Sequence, residues 1–375
     1  MYMYLHGYVV LPACQHSQAI CCSCPAPLTR RAAMSEEDPG AVAQPGDDSS
    51  DDGLTAHEIM LKSFPPLDEL RATLTRADDP AGKKMRAIYY LRTIGSAEAN
   101  AALMEALLDK SGSPLLRHEL AYVLGQLRND SACDVLEKVL ADTTDNVMVR
   151  HEAAEALGAI GAARSLDLLD KFTSDPLVEV GETCKIAADF MRWKHAGEAG
   201  ERPVMCACMS PYSSHDPAPA DPRFDGAPVE EVGAVLQDAT KELFLRYGAM
   251  FHLRNRGGEA AVAALGRALV QDQSSALLRH EVAYVLGQMQ HPAAIEPLAE
   301  SLRRSHEHSM VRHEAAEALG AIEGAAADMT KCEALLQEFM ADSDSCVRES
   351  CEVALDAQDY WAHQRWKDVK EQQAA

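Results

Sequence analysis

Aromatic residues are scarce, at 5% of 375 residues, which disfavours a sheet-rich core and leaves helix-forming Ala, Leu and Glu to dominate. No apolar run reaches the roughly 18 residues that a membrane span needs, so no span is expected. Basic residues are also few: 35 Lys and Arg stand against 58 Asp and Glu, a formal net charge of −23. That balance excludes a nucleic-acid binder, which would need clustered cations, and favours a cationic partner. The eleven cysteines form no repeating framework and read as reduced thiols. Cys21-Cys22-Ser23-Cys24 and Cys206-Ala207-Cys208 lack a second pair at zinc-site spacing, so no site is built on them.

What is present is repetition. MVRHEAAEALGAI at 148–160 recurs letter for letter at 310–322, and LLRHELAYVLGQL at 115–127 returns as LLRHEVAYVLGQM at 277–289. Each stretch carries one His-Glu pair: His118-Glu119, His151-Glu152, His280-Glu281 and His313-Glu314. With the histidine position as a ruler, four segments align in each half, on Ala87, His118, His151 and Val180, then on Ala249, His280, His313 and Glu349. Recurrence at about 30 residues marks a solenoid of helix pairs. Gly95, Gly125, Gly158 and Gly161 are expected in the turns that end these helices.

The expected fold is therefore all-α, with two four-repeat halves facing each other. Residues 1–62 read as a disordered N-terminal extension, residues 63–194 as the first helical domain, 195–228 as a linker and 229–375 as the second domain. The first 33 residues lack Asp and Glu but fit a transit peptide poorly, so an upstream start before Met34 or a floppy tail is preferred. An acidic stretch rich in Pro, Gly and Ser follows. The linker is assigned on composition, with Pro203, Pro211, Pro217, Pro219, Pro222 and Pro228.

The His-Glu pairs exceed what the scaffold needs. The outer segments keep the helical pattern and read Ala87-Ile88, Val180-Gly181, Ala249-Met250 and Glu349-Ser350 at the same positions. On a helix at about 100° per residue, Val149, Ala153, Ala156 and Ile160 form the core stripe, and His151 projects roughly 160° away from it. His118 stands likewise opposite Leu116, Leu120, Val123 and Leu127. Neighbouring helices about 8–10 Å apart let two such imidazoles and a nearby Glu converge on one ion at about 2.1 Å. Two histidines and one carboxylate leave coordination positions open for a small substrate such as dioxygen. The duplication supplies a second set. Imidazole and carboxylate without thiolate suit iron, manganese or zinc, and spacing does not select which Glu of each pair is the ligand.

The quartet RHELAYVLGQ, RHEAAEALGAI, RHEVAYVLGQ and RHEAAEALGAI, on two HEAT-like halves, resembles the deoxyhypusine hydroxylases from about residue 63 to 365. The resemblance implies a monooxygenase using two Fe(2+) ions per chain, with dioxygen as co-substrate. It implies hydroxylation of the deoxyhypusine side chain of translation initiation factor 5A to hypusine, in the cytoplasm, by a monomer supplied by an electron donor. Carried onto this sequence, it gives one iron to His118, His151 and Glu152 and the other to His280, His313 and Glu314. Glu119 and Glu281 are then implied to hold the substrate's amines and to serve catalysis. Two other readings compete: a non-catalytic HEAT-like binding scaffold or bilin-lyase relative, and a metal hydrolase with the same ligands.

Overall fold

The computed structural model describes residues 60–198 and 210–374, with side chains as far as Ala196 and again from Ser210 to Tyr360. The expected extension up to residue 59 lies outside the described residues, as do Cys21, Cys22, Cys24, Cys206 and Cys208. Among the described residues of Pro65–Ala375, which form one compact unit, regular structure is helical. In the first half the α-helices are α1 (Leu67–Thr75), α2 (Ala81–Ile94), α3 (Ala97–Leu108), α4 (Pro114–Leu127), α5 (Cys133–Ala141), α6 (Val147–Ile160), α7 (Leu166–Phe172) and α8 (Val178–Glu198). The second half repeats them as α9 (Val229–Gln237), α10 (Leu243–Arg256), α11 (Gly258–Gln271), α12 (Ala276–Met289), α13 (Ile295–Arg303), α14 (Ser309–Ala321), α15 (Ala326–Phe339) and α16 (Ser345–Ala374).

Odd- and even-numbered helices alternate as two layers, and the even ones pack side by side along the inner face. Each inner helix that bears a His-Glu pair is started by a side chain. Ser113, Asn146, Ser275 and His308 accept from the backbone amides of Leu116, Met148, Leu278 and Met310, which satisfies donors a helix start leaves open. The halves meet twice: α8 packs on α10 and α12, and α16 packs on α2 and α4. Matching contacts close both seams. Ser275 Oγ donates to Glu182 at 2.6 Å, and Ser113 is hydrogen-bonded to Glu349.

This symmetry moves one register. Glu349 pairs structurally with Glu182, two residues beyond the Val180 that the sequence ruler selects, because both are the residues that reach the opposite half's helix cap. Two glycine expectations also change. Gly95 and Gly161 end their helices in the left-handed region, at φ 62° and 75°, as a C-cap requires. Gly125 and Gly158 instead lie inside α4 and α6. A Cβ on Gly125 would stand 2.7 Å from Ala156 Cα, and one on Gly158 2.8 Å from Ala187 Cβ. Their missing side chains let successive inner helices approach closely.

The arginine before each His-Glu pair fastens the repeats. Arg150 donates to the Leu140 carbonyl at 3.1 Å and to both oxygens of Asp175, at 3.2 and 2.6 Å. Arg117 does the same with Leu107 and Asp145, and Arg312 with Leu302 and Asp342. The Arg150 hydrogen bond holds Asp175 below the ordinary carboxylate range. Replacing Arg150 with alanine strands a buried carboxylate and a carbonyl, so chemical denaturation is expected to show a loss of about 3–5 kcal/mol. A midpoint unchanged from wild type would contradict that role.

Candidate metal centre

Arg-His-Glu occupies the same part of the first two turns in α4, α6, α12 and α14. The arginine turns back to the adjoining loops, and the histidine therefore faces the space between the halves. All four histidines are buried, His151 and His313 completely, because each half covers the other. Their rings form one cluster. Centroids are 5.4 Å apart for His118 and His151, 5.2 Å for His118 and His313, and 5.4 Å for both His151–His280 and His280–His313.

Carboxylates interleave with the rings in matching fashion. His118 Nε2 is 3.1 Å from Glu152 Oε2, and His280 Nε2 is 3.6 Å from Glu314 Oε2. Glu119 Oε1 lies 3.3 Å from His118 Nδ1. His118, His151 and Glu152 bring one ligand atom each within 4.8 Å of one another, which is the first set expected from sequence. A second group with this property joins His118 to His280 and His313 across the halves. Glu314 approaches the second set through His280.

Burial draws the His151 and His280 rings well below their ordinary pKa, with the neighbouring histidines adding to the effect. Burial works the same way on His118, but the carboxylates of Glu152 and Glu119 outweigh it and hold that ring well above. Neither ring nitrogen of His151 or His280 makes a hydrogen bond in the structure. Such buried polar atoms are costly when left so. Four imidazoles and several carboxylates without a thiolate fit hard or borderline divalent metals, so the residues suit a metal.

A narrow cleft of about 20 Å³ lies on this cluster, with Glu152, Glu155, Glu281 and Glu314 among its walls. Glu281 lines it, whereas Glu119 stands behind, against His118. Burial, then Asp216, Glu152 and Glu314, push the Glu281 carboxyl well up. Tyr122 and Tyr284 meet across the cleft with hydroxyls 3.1 Å apart. These two, with Gln126 and Gln288, are residues that the His-Glu pattern misses. Their spacing was visible, since Tyr and Gln follow His118 and His280 at i+4 and i+8, along the same helix face.

The segment assigned as linker supplies the remaining wall through His215, Asp216 and Pro217. Gln126 clasps its backbone, accepting from His215 N at 2.8 Å and donating to His215 O at 3.2 Å. On the other side the buried Arg254 grips Asp216 with two bonds, at 2.9 and 2.5 Å, and donates to Gln288 Oε1 at 2.7 Å. Gln288 then donates to Tyr284 at 2.9 Å and to Ser214 at 3.0 Å. A larger cavity of about 890 Å³ shares His215 and Asp216 with the cleft.

HEAT repeats match the chain at residues 67–148, 107–181, 229–320 and 262–356. The deoxyhypusine hydroxylase of Danio rerio is 48% identical over 277 residues, covering 74% of this chain and 86% of the relative. That of Mus musculus is 46% identical over 300 residues, covering 80% and 93%. The structure of human deoxyhypusine hydroxylase in complex with glycerol is similar at a TM-score of 0.70 and 44% identity, over 80% of this chain and 98% of that one.

Proposed function

The chain belongs to the deoxyhypusine hydroxylase family, and on that premise we propose that its His-Glu cluster holds two iron ions and uses dioxygen. It is a HEAT-repeat monooxygenase that hydroxylates deoxyhypusine. The observation that carries the metal reading is the ring cluster: four buried imidazoles meet, and those of His151 and His280 make no hydrogen bond. His118, His151 and Glu152 hold one ion; His280, His313 and Glu314 hold the other. When bound, the iron pair supplies the oxygen-activating chemistry that hydroxylation of an unactivated C–H bond needs.

The rest is the protein's work. Deoxyhypusine is a lysine extended by an aminobutyl arm, so it brings two ammonium groups. Glu281 in the cleft wall offers negative charge to this cation directly, and Glu119, behind it against His118, adds to the field. Tyr122, Tyr284 and the 214–217 segment narrow the cleft and exclude water around the arm. The protein partner is translation initiation factor 5A, met in the cytoplasm by a monomer served by an external electron donor; among the described residues no helix is long and apolar enough to cross a membrane.

Incubation with deoxyhypusine-bearing factor is expected to add one oxygen atom to the factor only when iron and dioxygen are both present. Turnover without dioxygen would point to a metal hydrolase. Removing iron is also expected to lower the melting temperature, since a ligand that binds only the folded state stabilises it. Melting that ignores a chelator would count against a metal in the cluster.

A further inference from the structure

The two halves are nearly superposable in sequence around the cleft, yet one pair of equivalent carboxylates is treated differently. Glu155 lies one helical turn beyond His151 on α6, and Glu317 is its mate on α14. Glu317 is buried, accepts a hydrogen bond from Ser350 at 2.8 Å and stands 3.5 Å from His313 Nδ1. In the first half the residue equivalent to Ser350, counted from the Glu182–Glu349 match, is Thr183. Its hydroxyl donates to the Glu179 carbonyl at 2.7 Å instead. Glu155 is left with no hydrogen bond or ion pair among the described residues, and it lines the cleft alongside His118, Glu152 and Glu281.

Glu155 also borders a shallow recess with Thr183, Pro217 and Tyr247. It therefore stands at the junction of the two, beside the carboxylates of Glu152 and Glu281. Burial, followed by the nearby charges of Glu281 and Glu152, pushes its carboxyl well above the ordinary range. An incoming cation relieves that situation.

We propose that Glu155 is a specificity-determining residue that receives the terminal ammonium of the substrate's aminobutyl arm. This rests on the function proposed above. One symmetric scaffold thus serves two ends: the second half's carboxylate is fastened near its histidine, and the first half's is kept for the guest.

The test compares wild type, Glu155→Gln and Glu155→Asp, each iron-loaded and full length, on two probes. One is the factor bearing deoxyhypusine; the other bears an N-butyl-lysine arm without the terminal nitrogen. For Glu155→Gln the expected result is unchanged iron content and a KM about 10- to 100-fold higher on the first probe, the range for one charged hydrogen bond. On the second probe Glu155→Gln and wild type should be equal. Glu155→Asp should recover part of the loss. An unchanged KM, an equal rise on both probes, or loss of iron would each overturn the proposal. Failure of wild type to oxygenate the first probe would instead overturn the underlying function, so the two failures are distinguishable.

Discussion

His151→Ala is expected to leave a folded chain that has lost iron and nearly all turnover. His151 is fully buried, and its ring packs 5.4 Å from those of both His118 and His280. Residues that only orient a metal ligand typically contribute 10- to 100-fold in affinity or activity, about two decades at most. A ligand should exceed this, so kcat/KM is expected to fall by more than about 100-fold. Misfolding is a poor alternative explanation. The ring makes no hydrogen bond, and an unsatisfied buried imidazole costs stability rather than adding it. The metal-free variant should therefore melt no lower than metal-free wild type, while the iron-dependent rise in melting temperature disappears. Full iron and full turnover in His151→Ala would refute the ligand assignment.

Glu281→Gln is expected to do the reverse, keeping iron and losing substrate. Glu281 is buried in the cleft wall with Asp216, Glu152 and Glu314 as its electrostatic neighbours. Asp216 is already matched by Arg254, so it offers little net charge to a guest. The Glu281 carboxylate does, and truncating one partner of a buried charged pair costs about 2–5 kcal/mol. The expected loss in kcat/KM is thus about 100-fold or more, concentrated in KM. Iron content measured on the same sample separates this from a ligand effect. A variant that lost iron in proportion to activity would make Glu281 part of the metal centre instead.

Much of this centre was legible in the chain because it was built by duplication. The restriction of His-Glu to the inner repeats distinguished a site from a scaffold, and helix geometry aimed His118 and His151 away from their core stripes. In the structure His118 and His151 do lie together, with Glu152, which only the resemblance singled out, within 4.8 Å. Helix geometry did not find the contact of His118 with His280 and His313, because contacts across the halves leave no local period. The roof was hidden for a similar reason. Residues 214–217 read only as part of a Pro-rich connection, and nothing local reveals that Gln126 and Arg254 fasten them over the cleft. Gly125 and Gly158 show a third limit. A glycine that permits close helix packing has the same letter as one that ends a helix, and only the position of Ala156 or Ala187 distinguishes them.

The most direct test of the central claim is the metal content of the purified chain after anaerobic loading with ferrous iron, read by elemental mass spectrometry. About two irons per chain are predicted, one for each pair of histidines with its carboxylate. A chain that stays free of iron after such loading would contradict the account.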